Sequence, residues 1–361
     1  MRTLATLASS LCAALATTLP AQQTKVVPSG MDFVEGPLVY TYPFGRADGA
    51  IQVLMDADQV TLGQGLLLGM RFRPSQVSAS QTQIAHTKNY RVTAYVVTQA
   101  AATMVADLAT NIGAATGTVV FQGPVSLPAQ QPLAVAPAPF SIQIPFTTPF
   151  VYNGTLGNLL LLVETADTAA VPGLYRIDAV QFRTSTTEGI VAAVDTAGCT
   201  VPATGAGMVL GASATTAIVG GVIANTLTET VPGSFASALV GLALDRQQQD
   251  LSFLGMTGCT NFLGTFTSQV AVATAGAFPG VNWTIPALPA IAGIPCVTQA
   301  LGLPSSGNFS SAVTSNALAI RVGSSTPPTT KVMAAFRSST GWFIGTAGSF
   351  SPVVQLEGVF P

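Results

Sequence analysis

Ionisable residues are scarce in this sequence of 361 residues, and histidine is the scarcest of them. The chain has one histidine, His86, and Asp, Glu, Lys and Arg together make up only 8% of it, against about 25% in an average globular protein. A catalytic triad would have to use His86, and a metal site built from several histidines is excluded. The usual His-dependent hydrolases are therefore not expected.

Positive charge is equally sparse. The 13 Lys and Arg residues stand singly along the chain, and the formal net charge is −2. Without a basic patch, the sequence argues against nucleic acid as a partner and against electrostatic binding to a membrane surface. Residues 251–320 contain no charged residue at all, so chemistry that needs ionised groups is expected in the first half.

Long hydrophobic runs are missing after the first residues. Residues 1–21 combine Arg2, an apolar run from Leu4 to Leu19 and the dipeptide Pro20-Ala21, which predicts a secretory signal peptide. No later segment offers the roughly 18 uninterrupted apolar residues of a membrane-spanning helix. We therefore expect an exported, soluble protein that is secreted or held at the cell surface.

Short apolar segments separated by turn residues fill the rest of the chain. FSIQIPF (140–146) alternates apolar and polar residues, and NLLLLVE (158–164) is a short continuous apolar run; both patterns are typical of strands. The sequence predicts an all-β chain with two antiparallel β-sandwich domains of jelly-roll or immunoglobulin-like type. We expect these domains over 22–196 and 197–323. Residues 324–361 form a Pro-rich break and closing strands, and the pattern leaves open which sandwich they complete.

Aromatic side chains suggest a place for sugar binding. In VYTYPFG (39–45), Tyr40 and Tyr42 share one face if the segment is extended. Exposed aromatic rings on a flat face stack on sugars, but packing in a core explains such residues equally well. The two tyrosines are therefore candidate glycan contacts.

The richest acidic stretch is RADGAIQVLMDADQV (46–60). Its carboxylates Asp48, Asp56 and Asp58 are candidate oxygen ligands for calcium, although the EF-hand spacing is absent. Two of them would serve as a glycosidase pair if the fold held them about 5 to 10 Å apart. Solvated turn residues are the third interpretation.

Several segments carry a resemblance to a known group of proteins. The first half contains an aromatic-Pro-Phe opening, an Arg-Pro strand ending and a Gly-Asn-Leu-Leu strand, in YPFGRADGAIQV, GLLLGMRFRPS and GNLLLLVE. The second half contains GCTVPATGAG, TGCTNFLG and SNALAIRVG. Together, over most of residues 30–323, these segments resemble secreted two-domain β-sandwich proteins of planctomycete-type bacteria. The resemblance implies a fold but no catalytic residues, because its members have no assigned function.

Three cysteines follow the predicted signal peptide: Cys199, Cys259 and Cys296. Loop-closure entropy does not choose a pair, since it is worth about 4 kcal/mol for Cys199 with Cys259 or for Cys259 with Cys296. Export makes a disulfide chemically reasonable. In the family that the chain resembles, the two Gly-Cys positions recur, which implies a Cys199–Cys259 bridge and leaves Cys296 as a buried thiol.

Three functions remain open from the sequence. We expect an exported, non-enzymatic structural or adhesion-type protein of the cell surface or extracellular matrix, whose partners are polysaccharides or other surface proteins. One alternative is a carbohydrate-binding module that uses Tyr40 and Tyr42. The second is a carboxylate-dependent glycoside hydrolase that uses two of Asp48, Asp56 and Asp58. No cofactor other than calcium is expected.

Overall fold

The chain is almost entirely β. The computed structural model describes residues 22–77, 82–167, 170–182, 189–195, 197–274, 277–306, 311–324, 331–344 and 349–361, and the predicted signal peptide lies outside them. Strands dominate this part of the chain, which confirms the predicted all-β class. The exceptions are helices α1 (Ala57–Val60) and α2 (Leu108–Ile112) and short 3-10 turns at Ala101–Thr103, Ser252–Leu254 and Pro289–Ile291. None of these described helices has the length and apolar character to span a bilayer.

The described residues form 24 strands. The first twelve are β1 (Gln23–Val27), β2 (Leu38–Tyr40), β3 (Ala50–Met55), β4 (Gln64–Phe72), β5 (His86–Val97), β6 (Thr118–Leu127), β7 (Ile142–Asn153), β8 (Asn158–Thr165), β9 (Ile177–Phe182), β10 (Ile190–Ala193), β11 (Met208–Ala212) and β12 (Val222–Glu229). The others are β13 (Phe235–Ala243), β14 (Arg246–Asp250), β15 (Thr260–Leu263), β16 (Phe266–Val272), β17 (Val281–Thr284), β18 (Pro295–Pro304), β19 (Val313–Thr314), β20 (Leu318–Arg321), β21 (Val332–Ser338), β22 (Gly341–Phe343), β23 (Ser349–Pro352) and β24 (Val354–Val359).

Two sheets of the first half enclose a common core. Their strand orders are β1-β24-β4-β7 and β22-β21-β3-β8-β5-β6. Strands β3 and β8 pair with each other and have apolar clusters on both faces, which explains their continuous apolar runs. Strand β7 alternates buried and exposed residues over its first part, as the FSIQIPF pattern predicted.

The end of the chain completes these two sheets. Strand β21 pairs with β3, and β24 lies between β1 and β4. Residues beyond Lys331 therefore pair with the first half, which answers the question that the sequence pattern left open. The partners are more than 270 residues apart along the chain, so no local pattern carries this information.

The second half has its own core. It lies between a sheet of order β10-β20-β18-β13-β16, in which β19 also pairs with β18, and a sheet of order β11-β12-β17. Strand β10 precedes residue 197 in the chain but pairs with β20, in the larger of these two sheets. Strands β14 and β15 form a hairpin that contacts β13 and β18.

A third apolar cluster joins the two halves. It combines Val34 and Val353 with Phe262, Val297 and Ala319. A small sheet of order β2-β9-β23 lies on the first-half side of this junction. The two halves therefore share buried surface.

Candidate functional site

Tyr40 and Tyr42 lie together at one end of the first core, and other side chains cover their rings. Tyr40 stacks on Phe336 with 4.4 Å between ring centroids and 15° between the planes. Tyr42 meets the edge of Phe343 at 5.6 Å, and the Arg46 guanidinium carbon lies 5.0 Å from its ring centroid. Both tyrosines are half-buried. The ring faces that a sugar platform needs are thus engaged in packing.

Of the three acidic candidates, Asp48 lies apart from Asp56 and Asp58. Asp48 precedes β3 and Asp56 follows it, so eight residues of mostly extended chain, roughly 25 Å, separate them. Asp56 and Asp58 both approach the Lys331 ammonium, at 3.6 and 3.2 Å, and Asp48 lies 3.8 Å from Arg337. The structure forms neither a three-carboxylate calcium site nor a glycosidase pair that includes Asp48. In the part of the chain that the structure describes, no cluster of three His, Cys, Asp or Glu residues has a metal-binding arrangement.

His86 begins strand β5 at the wall of a cavity of about 310 Å³. Its Nδ1 lies 3.1 Å from the Ile84 carbonyl oxygen, and its ring meets the edge of Tyr175 at 5.7 Å. Its Nε2 is buried without a hydrogen-bond partner among the described residues. Among the described residues, neither ring nitrogen of His86 has the nucleophile or the carboxylate partner that a triad-type catalytic base uses.

Cys199 and Cys259 form a disulfide with 4.9 Å between their Cα atoms, as the resemblance implied. The Cys199 amide donates to the Thr314 carbonyl at 3.0 Å. Cys259 closes the turn that begins at Leu251, whose amide donates to the Cys259 carbonyl at 2.9 Å. Cys296 is a buried free thiol. The bridge therefore fastens the 251–259 turn to the sheet that contains β18 and β19.

An exposed apolar surface of the second half lies on the face of β13, β16 and β18 that points away from the second core. The core face of these strands carries Ala238, Val240, Ala271 and Ala300. We call the other face of these strands the open face. The register places on it Leu239 and Gly241 of β13, Phe266, Ser268, Val270 and Val272 of β16, and Leu301 and Leu303 of β18.

Side chains of the open face are unusually accessible for apolar residues. Phe266 is 54% exposed, Val270 64% and Val272 58%. On the neighbouring 3-10 turn, Phe253 is 69% and Leu254 49% exposed. Single exposed apolar residues are ordinary, but a contiguous group marks an interaction surface.

A cavity of about 210 Å³ deepens the open face next to the disulfide-bound turn. Its walls include Leu239, Leu254, Met256, Phe266 and Leu301. Gln299 at its floor is fully engaged, because its side chain accepts from the Phe262 amide and donates to the carbonyls of Thr260 and Ser315. The cavity thus offers mainly apolar contact, and the bridge holds one of its walls.

A buried ionic network at the junction of the halves escaped the sequence analysis. Arg73 and Asp178 are completely buried and form a salt bridge, with the Arg73 Nε 2.7 Å from Asp178 Oδ2. The Arg73 guanidinium also donates to the Val34 carbonyl at 2.6 Å. A second acid, Glu35, lies close by: its Oε1 accepts from the Gln76 amide at 2.7 Å, and its Oε2 is buried without a partner in the described residues. The three charged residues lie far apart in sequence, at positions 35, 73 and 178.

The environment of Glu35 favours its protonated form. Burial, and after it the negative charge of Asp178, raise the pKa of Glu35 to about 8, while Arg73 and the Gln76 amide oppose the rise. Burial raises the pKa of Asp178 too, and Arg73 opposes that rise. Glu35 also borders a cavity of about 270 Å³ between the halves. The arrangement is that of a structural network whose acid is held neutral.

Glu35→Gln is expected to remove a pH dependence of stability. The unfolded chain loses the Glu35 proton near pH 4.5, and the folded chain keeps it to about pH 8. Stability from this group is therefore complete below pH 4.5 and is lost as the pH rises towards 8. Between pH 5 and pH 7 this loss amounts to about 2.5 kcal/mol in the wild type, and it is absent in the variant. Denaturant unfolding at pH 5, 6 and 7 measures the unfolding free energy of the wild type and of the variant.

Asp32→Asn is the matched control for this prediction. The Asp32 side chain is exposed and lies three residues before Glu35, and only its backbone carbonyl contacts Arg73, at 3.2 Å, so the substitution replaces a carboxyl group by an amide without removing a side-chain contact of the network. Its unfolding free energy should follow the wild-type pH profile. Parallel profiles for Glu35→Gln and the wild type would contradict the assignment of a buried, neutral Glu35.

Comparison with known proteins adds no assignment to this geometry. No protein-family model matches the chain, and no curated protein is significantly similar to it.

Proposed function

We propose that the chain is an exported, non-enzymatic structural or adhesion-type protein that makes contact through its open face. The observation that carries the proposal is the group of exposed apolar side chains at Phe266, Val270 and Val272, next to the exposed Leu254. They belong to a stretch, residues 251–320, that contains no charged residue. Contact there would be driven by removal of apolar surface from water rather than by charge.

Polysaccharide binding is supported less well than protein-like or apolar contact. The rings of Tyr40 and Tyr42 are packed against Phe336, Phe343 and Arg46. For a hydrolase that uses the acidic stretch, β3 separates Asp48 from Asp56 and Asp58, and Asp56 and Asp58 both lie against the Lys331 ammonium, at 3.6 and 3.2 Å. The carbohydrate-binding module and the hydrolase nevertheless make distinct predictions that one experiment can test.

Attachment of protein-coated microspheres tests the proposal. Microspheres that carry the chain from residue 22 onward are expected to attach to an uncharged apolar surface, and Val270→Lys should lower attachment about tenfold or more, because the lysine charge must lose water in the contact. Thr228→Lys is the control, since Thr228 is exposed on β12 of the other sheet. Its attachment should equal that of the wild type.

Two results would overturn the proposal. One is attachment that Val270→Lys leaves unchanged. The other is retention on insoluble polysaccharide that Tyr42→Ala abolishes, or release of sugar from that polysaccharide, since these outcomes belong to the carbohydrate-binding module and to the hydrolase.

A further inference from the structure

Strand β16 ends its sheet with an unprotected edge. The sheet order stops at β16, and within the described ranges no strand lies on its outer side. Natural proteins protect such edges with charged residues, prolines, bulges or very short strands. The sequence of β16, FTSQVAV, has seven residues with neither charge nor proline, and its register with β13 is regular from Ser237 to Ala243.

Backbone geometry shows which groups face outward. Directly after β16, the Ala273 amide donates to the Ala236 carbonyl at 3.0 Å, on the β13 side. In an antiparallel pair, alternate residues direct both backbone groups to the same neighbour. The odd-numbered residues of β16 therefore bond to β13, and the outward N–H and C=O groups are those of the even-numbered ones: Phe266, Ser268, Val270 and Val272.

A second copy of β16 satisfies all of these groups in one antiparallel register. With a two-fold axis at Gln269, Phe266 stands opposite Val272 of the copy and Ser268 stands opposite Val270. Residues with outward backbone groups then face one another, as hydrogen-bonded pairs must. All four also belong to the open face, so the apolar side chains of both copies lie on the same side of the joined sheet.

Charge also fits a second copy. A face that carries net charge repels its own copy, whereas residues 251–320 have none. Two-fold self-association through the same patch is the commonest symmetry of soluble oligomers, and strand addition at a sheet edge is a common mode of recognition.

We infer that two copies of the chain pair edge to edge through β16, with the two-fold axis at Gln269. The pairing extends the sheet β10-β20-β18-β13-β16 across the dimer. This inference rests on the proposed function, because it joins the open faces of two copies into one continuous contact surface. It gives a structural protein a defined means of assembly.

A single cysteine at the axis tests the register. In this pairing Gln269 stands opposite Gln269 of the copy at a position without backbone hydrogen bonds, where the two Cβ atoms are about 4.5 to 5.5 Å apart. That distance is compatible with a disulfide at modest adjustment. Mild oxidation of Gln269→Cys should give covalent dimer about tenfold faster than oxidation of Thr228→Cys, because pairing raises the local thiol concentration.

The background of this experiment is low. The chain from residue 22 onward contains three native cysteines: Cys199 and Cys259 are bonded to each other, and burial raises the pKa of Cys296 to about 12, so its thiol is unreactive. Gln269 is exposed, and its side chain donates to the Asn282 carbonyl at 3.2 Å. Its replacement should leave folding unchanged, which near-ultraviolet circular dichroism checks.

Outcomes separate this inference from the proposed function. Slow cross-linking of Gln269→Cys together with a monomer in sedimentation at about 100 μM, well above the micromolar Kd of many weak complexes, would overturn the dimer. So would faster self-cross-linking of Val270→Cys, since it places the axis elsewhere. If microsphere attachment still depends on Val270, the proposed function survives that failure. If Gln269→Cys cross-links but attachment is indifferent to Val270→Lys, the dimer stands and the proposed function fails.

Discussion

Asp178→Asn is expected to lower the free energy of unfolding by about 3–5 kcal/mol at pH 7. The substitution keeps the shape of the side chain but removes the charge that pairs with Arg73. Arg73 is completely buried and its guanidinium reaches Asp178 at 2.7 Å, so the variant would leave a buried cation without its hydrogen-bonded carboxylate at the junction of the halves. Equilibrium denaturant unfolding, followed by tryptophan fluorescence, measures the loss.

A double-mutant cycle shows whether the loss comes from the broken pair. Arg73→Met alone should cost a similar amount, because it leaves a buried carboxylate and an unpaired Val34 carbonyl. The combination Arg73→Met with Asp178→Leu removes both charges and should cost clearly less than the sum of the single changes. Additive costs would show that the two residues act separately.

Lys331→Met is the matched surface control. It also replaces one cation by methionine, but Lys331 is half exposed and its carboxylate partner Asp58 is equally accessible. Exposed pairs contribute about 1 kcal/mol or less. A loss in Lys331→Met as large as that in Asp178→Asn would show that burial does not set the size of the effect.

The pattern of apolar and polar residues in short segments predicted individual strands correctly. The alternation of FSIQIPF and the continuous run of NLLLLVE gave strands at β7 and β8, because side-chain burial in a strand follows from its position in a sheet. The all-β class followed from many such segments. The finer prediction of two separate sandwich domains stays a prediction, and the structure adds that β10 and the residues after Lys331 pair across the expected boundaries.

Long-range arrangement escaped the sequence for a physical reason. The tyrosine and aspartate candidates were chosen by proximity along the chain, yet β3 carries Asp48 and Asp56 to its opposite ends. Conversely, Arg73 and Asp178 are 105 residues apart and meet only in the folded chain. One signal was available: Asp178 interrupts the apolar strand pattern LYRIDAVQF, and an acid inside a buried strand requires a cationic partner.

The exposure of the open face also could not be predicted from the sequence. The absence of charge over residues 251–320 was plain in the sequence, and there it suggested only that chemistry with ionised groups lies in the first half. Which apolar residues of β16 are exposed depends on β16 being the last strand of its sheet. Strand order is a property of the whole fold, so the edge and its consequence became visible only in the structure.

Removal of the Cys199–Cys259 bridge is expected to have an effect of similar size. The bridge closes a loop of 60 residues, for which the loss of unfolded-state entropy corresponds to about 4 kcal/mol. The double variant Cys199→Ser with Cys259→Ser should lose roughly that free energy of unfolding. Reduction of the wild type with dithiothreitol should produce an equal loss and leave the stability of the double variant unchanged.

Cys296→Ala provides the control, because Cys296 is buried like Cys259 but takes no part in the bridge. It should retain the full sensitivity to dithiothreitol, and its own loss of unfolding free energy should reflect only one small side-chain change.

The bridge also holds the 251–259 turn against the open face, where Leu254 and Met256 line the cavity. Bridge removal should therefore accelerate amide hydrogen exchange in that turn before it affects β3 or β8, whose strands lie in the other half. Uniform acceleration across both halves would show instead that the bridge acts only through global unfolding.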